Sequence, residues 1–373
     1  REILAAYAAG FSTRVVEVLA DRDLLPAEFT EHGFLPGAWS ERDVAMLFVG
    51  SIAHRYSDFN SERDNLALLQ ALTSQHGPEK AWRIFNASKW PVDNDSPTTV
   101  PRDKDWQAPP LPARPAYLDA MPRGQPQARV ALSSAGRFAG HARFGATGSP
   151  TLRRLAHAGF SNQPGFTGAS NFWSVRGLDD AAGALLNGPQ FGFSVPSYVY
   201  GIGLHGGDFN VVGNTLLALP SLLFAHNDHI AWGSTAGISD QSDEFALALD
   251  PDNPERYRHG DGWRQFERWP EEIAVRGSED VTVTARRSHQ GMVLSHEPEQ
   301  GVAWVRARAW EGKELESLMA WIWLATDRDL DAAHRRIGGL ATNINMYTMD
   351  RRGNLGYVHA GRYPHRSPGH DPR

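Results

Sequence analysis

The sequence contains no cysteine in its 373 residues. Disulfides, thiolate metal sites and a cysteine nucleophile are therefore excluded. There is no excess of positive charge either. The formal net charge at pH 7 is −6, which argues against a nucleic acid or an anionic membrane as partner. No uninterrupted apolar run approaches the length of a membrane span. The opening stretch REILAAYAAGFSTRVVEVLA is amphipathic and charged, not a basic tip followed by an apolar core. A G-x-S-x-G elbow and a Walker loop are missing, and no repeat recurs at solenoid or propeller spacing. What remains is ordinary for a soluble globular chain: 41% hydrophobic and 21% charged residues, with room for one large core or two domains. The chain opens without methionine and ends abruptly on SPGHDPR, so the expectation is a piece of a longer protein.

Three regions differ in character. Residues 1–90 read as helical: Ile3, Leu4, Tyr7, Phe11, Val15, Val18 and Leu19 recur at helical spacing. Ser40 with Asp43 resembles a capping box, and a helix opened by Ser61 is closed by Gly77-Pro78. From Pro91 to Pro126 nine prolines break any regular element. Residues 129–169 are then rich in Gly, Ala, Ser and Arg, as in a flexible connection or a spacer open to proteolysis. Residues 170–310 read mostly as strands punctuated by Gly, Pro, Asn and Asp. Residues 313–338 read as helix, followed by a hairpin around Arg352-Gly353. Helices, then many strands, then helices imply a layered α+β fold.

Candidate chemistry is sparse. His226 and His229 lie three residues apart on a strand and turn, where their side chains diverge, so they read as turn histidines rather than a metal pair. In ISDQSDEF, Asp240, Asp243 and Glu244 form an acidic cluster that suits a hard cation or, equally, a solvated turn. In TGASNFW, Ser170 follows small residues and opens a strand. An internal serine lacks a base. If the Ala169–Ser170 bond were cut, the new α-amine, with a pKa of about 7.7–8, could serve as base for the hydroxyl of the same residue. Gly-Ala-Ser is a common tripeptide, so this pattern alone does not settle the matter.

Several stretches in order narrow the reading: AMLFVGSIAHRYSDFNSERDNLALL, TGASNFWSVRG, LLNGPQFGFSVPSYVYGIGLHG, VVGNT, FAHNDHIAWGSTAG, SDQSDEF and GYVHAGRYPHRSPGHDPR. Together they resemble the penicillin acylase family of N-terminal nucleophile hydrolases, over nearly the whole chain and most thinly between 100 and 165. The resemblance implies a four-layer αββα sandwich of the α+β class, made as a precursor that cuts itself. It implies an α-subunit within residues 1–112, a removed spacer over 113–169 and a β-subunit from Ser170 through 373. Such a product would be an α/β heterodimer from one precursor, periplasmic, acting on a small-molecule amide without nucleic acid or membrane.

Site residues carry over by position. Ser170 matches the nucleophile, the Ala236 N–H one half of the oxyanion hole, and Gln190 a residue whose main chain contacts the nucleophile region. Phe191, Phe224, Ser234, Trp321 and Ile344 match the acyl pocket; Arg55 and Tyr56 match its mouth, where Tyr56 replaces a frequent phenylalanine. Glu62, Asp240 and Asp243, with the carbonyls of Ser242 and Pro372, match ligands of Ca2+. The asparagine that completes the oxyanion hole, its neighbouring arginine and one further calcium-ligating aspartate are expected beyond Arg373. The family's first helical segment is expected before Arg1. The expected activity is hydrolysis of phenylacetyl amides such as penicillin G. The alternatives are an acyl-homoserine lactone or cephalosporin acylase, and an uncut, non-catalytic calcium-binding protein.

Overall fold

A computed structural model describes residues 1–58, 62–89, 113–124, 170–176, 183–190, 197–217 and 219–366, without the side chains of Arg55, Tyr56 and Lys89. The chain forms two compact units. The first draws on Arg1–Phe59, Arg129–Gln241 and Ala309–Tyr363, and the second on Asn60–Ala128, Ser242–Arg308 and Pro364–Arg373. Both units mix helices with antiparallel strands, as the α+β expectation requires.

In the first unit, α1 (Glu2–Ala20), α2 (Ala27–His32), α3 (Glu41–Phe48) and α4 (His54–Ser57) precede the strands. The capping box is present: Ser40 Oγ accepts from the Asp43 amide at 3.4 Å, and the Asp43 carboxylate accepts from the Ser40 amide at 2.7 Å. By length and composition α1 could cross a membrane, although Arg14 and Glu17 interrupt its apolar residues. Here it turns Leu4 and Ala8 into the core beside Val44 and Phe48 of α3. The expected helix over 313–338 is two helices, α7 (Glu314–Leu324) and α8 (Leu330–Ile337). Asp329 starts the second by accepting from the Ala332 amide at 2.7 Å.

The first unit's strands are β1 (Ser170–Val175), β2 (Ala184–Pro189), β3 (Val199–Gly206), β4 (Phe209–Leu216), β5 (Phe224–Asn227), β6 (Ile230–Ala236), β14 (Ile344–Asp350) and β15 (Leu355–Ala360). Six of them form an antiparallel sheet in the order β15-β14-β6-β5-β4-β3, while β1 and β2 form a separate hairpin. The hairpin expected at Arg352-Gly353 joins β14 to β15, with Gly353 at φ 75°. Ile230 and Trp232 of β6 lie in the core with Ile344, Met346 and residues of α7 and α8. A period of two then turns Ser234 and Ala236 to that helix-covered face, and Gly233 and Thr235 to the other.

The second unit holds α5 (Glu62–His76), α6 (Pro78–Lys89) and β7 to β13: Ser242–Asp250, Asn253–His259, Gly262–Gln265, Glu267–Ile273, Val281–Arg287, Met292–Glu297 and Val302–Arg308. These strands run in the order β10-β11-β12-β13-β7-β8-β9. Leu66 of α5 is buried with Val302 and Trp304 of β13, and the Arg63 guanidinium lies 4.9 Å from the Trp304 ring centroid. Residues 113–124, within the expected spacer, are anchored on α5. Gln70 donates to the Pro122 carbonyl at 3.0 Å and accepts from the Gly124 amide at 2.8 Å. Leu118 is packed against Leu69 and Trp82.

Candidate active site

Ser170 is the first residue of β1 and stands opposite Pro189, the last residue of β2, so Gln190 comes directly after the facing strand. One side chain fastens this hairpin to the six-stranded sheet. Asn187 Oδ1 accepts the Ser234 amide proton at 2.8 Å, and its Nδ2 donates to the carbonyls of Ser234 at 3.1 Å and Asn171 at 3.0 Å. Phe172 stacks on Tyr347 with ring centroids 3.9 Å apart. The close approach requires Gly233: a Cβ there would come within 2.6 Å of Asn187 Oδ1 and 2.9 Å of the Phe172 ring.

Ala236 ends β6 directly opposite Ile344, the first residue of β14. Asn345 Nδ2 donates to the Ala236 carbonyl at 3.1 Å and to Thr235 Oγ1 at 3.0 Å, which orients the peptide after Ala236. Beyond it, Gly237 lies so close to Asn343 Oδ1 that no Cβ could fit. Asn343 is itself held, its amide donating to Ser57 Oγ at 2.8 Å and its Nδ2 to the Ser239 carbonyl at 2.7 Å. The structure thus fixes the backbone around Ala236 from two neighbouring asparagines that sequence reasoning did not single out.

Trp321 of α7 and Ile344 are buried in one apolar core, and Phe224, at the start of β5, packs against it. Ser234 is buried on the same face of the sheet. The hairpin bearing Ser170 and Gln190 meets the sheet on the opposite face, at Gly233 and Tyr347. The backbone of Arg55 and Tyr56 is helical within α4. Phe191 and Pro372 lie outside the described residues.

The acidic residues are distributed differently. Glu62 begins α5, and its carboxylate accepts from the Glu244 amide. Asp243, in β7, accepts from Arg366 Nε at 2.8 Å. Ser242 is fully buried next to it. Asp240 belongs to the first unit, in the segment after β6. Among the described residues no group of three or more His, Asp or Glu side chains is gathered for a metal ion. The oxygen donors suit calcium chemically; the described arrangement, with Arg366 on Asp243, does not present them together.

The Penicillin amidase family model matches residues 1–373. The chain is 37% identical over 388 residues to a penicillin G acylase of Escherichia coli, covering 100% of this chain and 45% of that protein. It is 25% identical over 354 residues to the acyl-homoserine lactone acylase QuiP of Pseudomonas putida, covering 93% of this chain and 38% of that protein. A thermostable penicillin G acylase from Alcaligenes faecalis, in an orthorhombic crystal form, superposes with a TM-score of 0.52 at 40% identity, over 54% of this chain and 37% of that one. The chain spans less than half the length of these curated relatives. Matched from end to end by the family model, it belongs to the penicillin amidase family.

Proposed function

We propose that this chain carries the nucleophile and part of the acyl-binding site of an amidohydrolase that cleaves phenylacetyl-type amides. The observation that carries the reading is the Asn187 clamp, which ties the strand opened by Ser170 to β6 within two residues of Ala236. On this reading the Ala169–Ser170 bond is cut by the protein itself, giving an α/β heterodimer. The freed α-amine accepts the Ser170 hydroxyl proton as Oγ adds to the amide carbonyl. The Ala236 N–H donates to the developing oxyanion. Collapse expels the amine, which takes up the proton, and water then releases the acid from the acyl-serine. Phe224, Trp321 and Ile344 are apolar, as a pocket for an aromatic acyl group requires; they lie on the face of the sheet opposite the hairpin of Ser170, so their assignment to the pocket rests on the family resemblance. The similarity to an acyl-homoserine lactone acylase supports a second reading, a long aliphatic acyl group in the same place. Rates on phenylacetyl, glutaryl and decanoyl anilides of the whole protein separate these substrates, and a preference for either of the latter two overturns the phenylacetyl assignment.

The ordered anchoring of residues 113–124 on α5 supports a removed spacer that begins after Gly124 rather than at 113. Calcium remains part of the proposal on donor chemistry alone: Glu62, Asp243 and the Ser242 carbonyl are hard oxygen donors, and Arg366 would have to leave Asp243 to admit the ion. A periplasmic location completes the reading, tested by fractionating cells that express the whole gene.

A further inference from the structure

A second serine lies in a hydrogen-bond chain that the Ser170 reading does not use. Ser239 Oγ is 2.8 Å from His359 Nε2, and His359 Nδ1 is 2.6 Å from Asn345 Oδ1. The direction of each bond follows from the partners. Asn345 Nδ2 donates to the Ala236 carbonyl, which can only accept, so the amide is oriented with Oδ1 toward His359. Oδ1 also accepts from the Tyr357 hydroxyl at 2.9 Å. His359 Nδ1 facing an acceptor must carry the proton. In the neutral ring this leaves Nε2 as a lone pair facing the Ser239 hydroxyl. Nucleophile, base and orienting group therefore stand in the order and tautomer that activate a serine.

The fold holds this arrangement. Asn345 and His359 are directly opposite each other on β14 and β15. The Ser239 carbonyl is gripped by Asn343 Nδ2. Ile238, just before the serine, has φ 53°, a left-handed backbone that is costly for a β-branched residue. Tyr357 and Tyr363 are exposed at 56% and 44%, and the Tyr363 ring stacks on His359 at 6.0 Å. They set exposed aromatic surface beside Asn345 and His359.

We propose that Ser239, His359 and Asn345 form a second nucleophilic serine centre, whose substrates are small aryl esters. Ser239 Oγ adds to the ester carbonyl carbon while its proton passes to His359 Nε2. The carbonyl–oxygen bond to the aryl group then breaks, and the phenol leaves with that proton. Water hydrolyses the acyl-serine by the same route, giving acid and phenol. The site is open to solvent, so it suits esters, whose leaving group needs little help, rather than amides. Asn345 acts as a positioning residue. Its hydrogen bonds to Ala236 and His359 link this centre to the end of β6, but the chemistry does not depend on Ser170.

The test uses the full chain carrying Ser170→Ala, so that neither success nor failure of the Ser170 reading affects it. A fluorophosphonate probe followed by peptide mapping, and the rate of p-nitrophenyl acetate hydrolysis, are the readouts. The folded protein should be labelled at Ser239 and the urea-unfolded protein should not. Ser239→Ala should remove the label, and His359→Gln should slow labelling at Ser239 by about a hundredfold, the scale of a lost general base. An unlabelled Ser239 in protein with a normal urea midpoint overturns the proposal. So does labelling at Ser239 that His359→Gln leaves unchanged.

Discussion

Asn187 and Ser234 exchange two hydrogen bonds across 47 residues of sequence, the Asn187 amide taking the place of a neighbouring strand's backbone. Ser234 is buried, so its amide and carbonyl have no ready substitute partner. Asn187→Ala is expected to lower the unfolding free energy by about 1–3 kcal/mol and to slow cutting before Ser170. Urea midpoints and the fraction of cut chain at fixed times measure both. Unchanged cutting in a destabilised Asn187→Ala protein would separate the clamp from processing.

A second prediction concerns acid stability. Arg286 donates two bonds to Glu255, at 3.1 and 2.7 Å, and this pairing holds the Glu255 carboxyl below its ordinary pKa against the opposing effect of burial. A carboxyl with a lowered folded-state pKa adds stability above its unfolded pKa, about 4.3, and loses it as pH falls through the folded value. Arg286→Ala should cost about 1–2 kcal/mol near pH 7, as expected for a two-pronged charged hydrogen bond that is partly screened. It should cost progressively less below pH 4. A deficit that is the same at pH 3 and pH 7 contradicts the assignment.

The acyl-pocket reading is tested by Phe224→Ala. Loss of the ring should reduce kcat/KM for a phenylacetyl anilide by about 1–3 kcal/mol and leave a small acetyl anilide nearly unaffected. An equal loss on both substrates would assign Phe224 to packing alone.

For calcium, thermal melts in calcium, magnesium and chelator suffice. If Glu62 and Asp243 ligate the ion, calcium at a hundredfold above its Kd adds about 2.7 kcal/mol of stability, and Asp243→Asn abolishes the gain. Superimposable melts in calcium and chelator remove the ion from the account.

Local signals in the sequence were legible where their partners are close. Ser40 and Asp43 cap a helix as their spacing requires, Gly353 turns a hairpin, and Ser170 opens a strand. The interleaving of the two units was not legible, because it depends on strand pairings such as β13 with β7 that join residues about 60 apart. Asn187 sat in a quoted motif, and asparagine inside a strand is unfavourable enough to be a signal, but its partner could not be read locally. The break between α7 and α8 has a visible cap in Asp329, which a long apolar pattern through Trp321 and Leu324 concealed.

On the proposed reading Ser170 becomes the first residue of a separate chain. Intact mass and terminal sequencing of protein expressed from the whole gene test it most directly. One product should begin Ser170-Asn171-Phe172, and a Ser170→Ala protein should stay uncut. A mature protein whose chain runs unbroken through Ala169–Ser170, or a Ser170→Ala variant that cuts itself at that bond, contradicts it.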